Sequence, residues 1–130
     1  VGTVATPFEH RPYDMELARC QRYYYQAVNG NNQEINVGWY YSGTLMSSVI
    51  DLPVPMRVKP TLTDTTGTSY YTIYRAGAAD GLDSLTLENT NANNTCVSVY
   101  NSSDVSGTAG QAGILRATNA SSKIELSAEL

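Results

Sequence analysis

A chain of 130 residues buries about two-thirds of its unfolded surface on folding, which suffices for one self-standing core and not for two. Only 15% of the residues are charged, and eight scattered basic side chains against twelve acidic ones leave a formal net charge of −4. That balance argues against nucleic acid as a partner, since neutralising phosphates takes clustered Lys and Arg. No segment approaches the roughly 20 apolar residues that span a bilayer.

The sequence begins Val1-Gly2-Thr3-Val4 without Met, as expected of a segment that followed something upstream, and no charged head before an apolar run reads as a secretory signal. The first periodic segment is Asp14 to Tyr24. Asp14 is placed to cap a helix, Glu16 suits its positive end, and Arg19 and Arg22 suit its negative end. Leu17, Cys20 and Tyr24 recur at helical spacing and form the expected buried stripe.

Beyond the helix the period changes to two. Ile35, Val37, Trp39 and Tyr41 alternate with Asn36, Gly38 and Tyr40, which places the first set in the core and Tyr40 outward. The same alternation turns Tyr71 and Ile73 inward against Tyr70, Thr72 and Tyr74, and it buries Leu85 and Leu87, Val97 and Val99, and Ile124, Leu126 and Ala128. Clusters rich in Gly, Asn and Thr (29–32, 65–68, 79–81, 89–94 and 106–110) supply turns, because Gly and Asn tolerate positive φ. Pro53, Pro55 and Pro60 cannot donate to a sheet ladder, so that stretch is an edge or a crossing between sheets. Eight or nine short strands at this spacing predict an all-β fold: a jelly-roll-like antiparallel β-sandwich with one short N-terminal helix. Residues 1–22 form a connector with the helix, and residues 23–130 the sandwich.

Groups suited to chemistry are sparse. His10 is the single histidine, and on a Pro-flanked connector it is poorly fixed for a catalytic triad, so a junction role is expected. One His and two distant Cys do not supply a zinc site, and Cys20 and Cys96, on a helix and a strand, are expected as free thiols. Asp80-Gly81-Leu82-Asp83 lacks the regular spacing of a dedicated calcium loop and reads as a solvated turn. No metal, cofactor or catalytic residue is therefore expected, and an enzyme is not. Three Asn-X-Ser/Thr matches, beginning at Asn93, Asn101 and Asn119, read as polar loops.

Aromatic residues carry more information, with ten Tyr against one Phe and one Trp. Tyr70 and Tyr74 stand on one strand face about 13 Å apart by strand rise. Exposed aromatic pairs of this kind suit either a neighbouring subunit or the face of a sugar ring. With outward Tyr40 and the loop residues Asp80, Asp83 and Asn91, they make up the candidate ligand-binding set.

Three phrases resemble one family. Ala5-Thr-Pro-Phe-Glu-His-Arg-Pro-Tyr13 with Glu16-Leu-Ala-Arg-Cys-Gln-Arg-Tyr-Tyr24, Pro53-Val-Pro-Met-Arg-Val-Lys-Pro-Thr61, and the terminal Leu126-Ser-Ala-Glu-Leu130 together resemble C-terminal domains of tailed-bacteriophage virion appendages of the tail-fibre, tail-spike or head-fibre type. The resemblance implies a β-rich tip joined by residues 6–22 to an upstream module. It further implies a homotrimer, contact with other virion proteins, assembly in the host cytoplasm and exposure on the extracellular particle, where the tip attaches to a bacterial surface saccharide. Neither nucleic-acid binding nor membrane insertion is part of that expectation. Two rival readings are an architectural capsid or tail decoration module and a carbohydrate-binding module of a secreted hydrolase.

Overall fold

A computed structural model describes residues 11–129. Among them, helix α1 (Tyr13–Gln21) leads into ten strands: β1 (Tyr24–Asn29), β2 (Gln33–Ser42), β3 (Leu45–Asp51), β4 (Thr61–Asp64), β5 (Tyr71–Arg75), β6 (Ala78–Leu82), β7 (Thr86–Leu87), β8 (Cys96–Asn101), β9 (Ala112–Ala117) and β10 (Lys123–Ser127). All pairings are antiparallel. They build a small sheet ordered β1-β10-β4 and a large one ordered β6-β5-β9-β2-β3-β8-β7. The fold is thus the all-β sandwich with one short helix that the period-two patterning predicts.

The two sheets share one core. Tyr40, Met46, Ile50, Tyr71, Ile73, Leu82, Val97, Val99 and Leu115 of the large sheet pack with Val28, Ile124 and Leu126 of the small one. The inward assignments of Tyr71, Ile73, Leu85, Val97, Val99, Ile124, Leu126 and Ala128 hold, and Leu87 is half-buried at a sheet edge. Residues 52–60 carry the chain from β3 in the large sheet to β4 at the edge of the small one. They do so outside any strand, as three prolines without ladder donors require.

Strand β2 departs from the alternation read along its sequence. Its register shifts between Glu34 and Asn36, so Ile35 packs against the core and the next inward position is even-numbered. Gly38 and Tyr40 therefore face inward, while Val37, Trp39 and Tyr41 face out. Asn36 holds this irregularity: its side-chain oxygen accepts the N–H of Val37 at 2.8 Å and its amide donates to Asp51 at 3.1 Å. Gly38 fits the inward place because a Cβ there would lie 2.9 Å from Ile73 and 3.3 Å from the Met46 sulfur. The bulge thus reverses the expected exposure of five consecutive residues.

Other departures are local. The 79–81 stretch lies within β6 rather than in a turn, and the β5–β6 reversal falls at Ala76 and Gly77, whose φ values of +45° and +75° suit a two-residue primed turn. Helix α1 ends before Tyr24, which belongs to β1 instead. Asp14 makes no capping bond, the N-cap being Pro12, and no residue of the helix is buried, so the expected stripe of Leu17, Cys20 and Tyr24 is exposed. Both cysteines are free, Cys20 exposed and Cys96 half-buried. His10 lies outside the described residues.

The sheets are latched by Tyr71. Its side chain rises from β5 through the core, and its hydroxyl lies 3.0 Å from the carbonyls of both Thr65 and Lys123, where β4 and β10 meet. Thr65 and Lys123 exchange further bonds, Thr65 N–H to the Lys123 carbonyl at 3.0 Å and Lys123 N–H to the Thr65 hydroxyl at 2.8 Å. Burial pushes the Tyr71 phenol up from 10.0 to about 12. The fold favours the neutral phenol, so this stabilisation is whole below the unfolded pKa and disappears as pH rises through the folded one. Wild-type stability should fall between pH 10 and about 12, by up to about 3 kcal/mol from this group. Denaturant unfolding across that range tests it: Tyr71→Phe should flatten the decline, and an unchanged slope would refute the latch.

Candidate functional site

The outward face of the large sheet carries a continuous apolar row. Register places Tyr74 of β5 opposite Ile114 of β9, and Ile114 opposite Val37 of β2; Trp39 follows along β2 on the same side, and Tyr41, at a second register shift between Tyr40 and Ser42, is exposed next to it. These five side chains are exposed by 42% (Tyr74), 39% (Ile114), 54% (Val37), 40% (Trp39) and 74% (Tyr41). Tyr74 to Val37 spans two strand spacings, about 10 Å, and Trp39 and Tyr41 stand about 7 Å apart along the strand. Neighbouring cross-strand positions hold the small side chains Ala112 and Ser47, which leave the Trp39 ring open to a partner. A single exposed apolar residue is ordinary, whereas a contiguous aromatic patch marks an interaction surface.

Ion pairing closes one end of the row. The Arg116 guanidinium lies 5.2 Å from the Tyr74 ring centroid and pairs with Glu34 at 2.7 Å. The outward face of the small sheet differs altogether. There the Tyr24 hydroxyl donates to Glu125, Lys123 pairs with Glu125 at 2.8 Å, and Thr61 and Thr63 flank them. Lys123 foremost, then the Tyr24 hydroxyl, holds the Glu125 carboxyl below its ordinary range. One face is polar and internally satisfied; the other presents an aromatic and aliphatic row with the Arg116–Glu34 pair at its Tyr74 end.

Of the residues singled out from the sequence, Tyr74 alone belongs to this face. Tyr40 is buried, a correction that follows from the β2 bulge. Its hydroxyl donates to Asp80 at 2.9 Å, and the Arg75 guanidinium stacks 4.6 Å from its ring centroid. The same Asp80 oxygen accepts the Ser106 N–H at 2.9 Å, and Arg75 donates to the Ser106 carbonyl. Gly107 crosses the Tyr40 ring so closely that a Cβ would fall 2.0 Å from it. Tyr40, Arg75 and Asp80 therefore clamp the 105–111 loop over the sheet.

Tyr70 does not pair with Tyr74. Ser69 adopts φ +54° just before it and β5 begins only at Tyr71, so the alternation stops short. The Tyr70 ring packs half-buried against the core and over Gly67, where a Cβ would meet it at 2.4 Å. Asp83 accepts the Ser69 N–H at 2.8 Å; Asn91 is exposed in the 88–95 loop, its N–H bonded to the Glu88 carbonyl at 3.3 Å. Among the described residues no group of three or more His, Cys, Asp or Glu side chains converges on a metal-sized site. The carboxylates that sequence suggested for a ligand act instead as acceptors for loop N–H groups.

Sequence reasoning assigned Trp39 and Tyr41 to the core. The segment Val37-Gly38-Trp39-Tyr40-Tyr41 is apolar in both parities, so alternation alone does not choose the outward set. Gly38 was the available signal, since a glycine among large side chains marks close approach of a neighbouring layer.

No protein-family model, no curated protein and no solved structure matches this chain.

Tyr40→Phe should destabilise the domain by about 1–2 kcal/mol, because Asp80 loses a buried donor. Thermal unfolding tests this, and an unchanged midpoint would show that the clamp contributes nothing.

Proposed function

We propose that this chain is a non-enzymatic attachment domain of a bacteriophage virion appendage, docking on a bacterial surface saccharide through the outward face of its large sheet. The observation that carries the reading is the exposed row Tyr74, Trp39 and Tyr41, held on a sheet whose opposite face is the core. Tyr and Trp rings bury a sugar's apolar face while the Tyr hydroxyl and indole N–H bond its hydroxyls. A strand-borne platform keeps them positioned before the ligand arrives, which lowers the ordering cost of binding. The resemblance of residues 5–25, 53–61 and 126–130 to phage appendage tips supports the same reading. Grouping three copies in a homotrimer multiplies weak contacts on a polysaccharide-coated cell, so a single face need not bind tightly.

An architectural role within the particle is favoured by one specific observation. Helix α1 exposes Tyr13, Met15 and Leu17 and buries none of its residues. Tyr13 and Leu17, one turn apart on the same side of the helix, suit a packing partner contributed by another copy or another virion protein. Attachment and assembly then use separate parts of the chain, the sheet face and the helix.

Binding to a panel of bacterial surface polysaccharides should fall at least about tenfold in the Trp39→Ala, Tyr41→Ala double variant. Its thermal midpoint should stay within about 3 °C of wild type, since both side chains are outside the core. Undiminished polysaccharide binding by a folded double variant would remove this face from the site.

A further inference from the structure

A second surface is built where α1 meets the proline-rich crossing. Arg19 and Arg22 from the end of the helix, Arg57 and Met56 from the crossing, and Asn94 from the loop before β8 line a cleft of about 470 Å³, with Val54 adding to its apolar wall. That volume is within the range of small-ligand sites. Three of the chain's eight Lys and Arg residues thus line one place, and no carboxylate is among the described residues lining it. In a domain of net charge −4 this is a local reversal of sign.

Backbone bonds fix the walls. The Arg57 N–H donates to the Arg22 carbonyl at 2.8 Å, tying the crossing to the end of the helix. Met56 N–H donates to the Asn94 carbonyl at 2.7 Å, and the Asn94 amide returns a bond to the Met56 carbonyl at 3.3 Å. The charged heads are less engaged than the backbone. Arg19 is 3.6 Å from Glu16 and half-exposed, Arg57 lies 5.8 Å from the Tyr23 ring centroid, and Arg22 has no side-chain hydrogen bond or ion pair among the described residues. Basic residues suit the carbonyl end of a helix in any protein. Arg57 is not on the helix, however, and its backbone bond to Arg22 brings a third guanidinium to the same cleft.

We infer that this cleft binds the anionic substituent, carboxylate or phosphate, of an acidic saccharide. Guanidinium groups bind both oxyanions through paired N–H donors. Met56 and Val54 offer an apolar wall to the ring that carries the charge, and the Arg57 guanidinium lies over the Tyr23 ring. Assigning the anion to a sugar rests on the attachment reading above; the cleft and its charge do not. It adds a charge preference to a sheet face whose exposed row is mainly apolar.

The test titrates the 130-residue chain at low salt with glucuronate, glucose 6-phosphate, glucose and a tri-glutamate peptide, followed by NMR. At least one acidic sugar should bind at least tenfold more tightly than glucose, and which one binds identifies the substituent. Raising the salt should weaken that binding, because exposed charges are screened. Arg22→Gln with Arg57→Gln, and separately Arg19→Gln, should reduce it roughly tenfold or more while the rest of the spectrum is unchanged. Trp39→Ala with Tyr41→Ala should leave it intact. Equal binding of glucose, binding of the peptide alone, or full affinity in the folded arginine variants would overturn the proposal. Failure here with polysaccharide binding still dependent on Trp39 would sink the cleft and spare the attachment reading; the reverse result would spare the cleft as an anion site.

Discussion

The irregularity between Glu34 and Asn36 decides which side of the large sheet the β2 side chains from Val37 to Tyr40 occupy, up to a second register shift between Tyr40 and Ser42. Strand geometry allows one choice only, since a shift of one residue exchanges the two faces completely. With the bulge in place, Gly38 admits Ile73 and Met46 into close packing, and Tyr40 enters the core to meet Asp80 and Arg75. Trp39 and Tyr41 are thereby sent to solvent beside Val37, Ile114 and Tyr74. The Asn36 side chain makes this arrangement tolerable by accepting the Val37 N–H. Core and exposed aromatic face are two outcomes of the same local event.

Rigidity behind that face comes from the opposite side of the sheet. Tyr71 bridges from β5 to the junction of β4 and β10, and the clamp around Tyr40 pins the 105–111 loop. A docking surface of rings gains from such support, because flexible side chains on a flexible backbone would have to be ordered by the ligand. The arginine cleft follows a different logic, with walls fixed by backbone bonds and charged heads that make few contacts among the described residues. Neutral and charged parts of a polysaccharide would thus be met by separate surfaces of one small domain.

Much of the architecture is legible in the sequence because most strands have one unambiguous apolar parity. Ile124 and Leu126 alternate with Lys123, Glu125 and Ser127 and could face only one way, and Val97 and Val99 are separated by Ser98. The Pro53 to Pro60 crossing is equally plain from missing donors. The candidate site was far less legible, for three physical reasons. Residues 37–41 are apolar in both parities, and a bulge is a tertiary compromise that no local pattern announces. Tyr70 lies one residue before its strand, after a left-handed Ser69, so extending the alternation to it fails. Asp80 sits beside Gly81, which suggests a turn, while cross-strand pairing with Ile73 and the Tyr40 hydroxyl keep it in β6. The arginine cleft joins positions 19, 22 and 57, which only folding brings together.

Trp39 is the single tryptophan of the chain and stands in the middle of the exposed row, so its fluorescence reports on the central claim directly. In the isolated domain, with solution mass showing a monomer, its emission should be red-shifted and readily quenched by acrylamide. Adding a polysaccharide that the domain binds should shift the emission to shorter wavelength and protect it from the quencher. An indole already shielded in the free monomer, or one equally quenched with and without bound polysaccharide, would contradict the account.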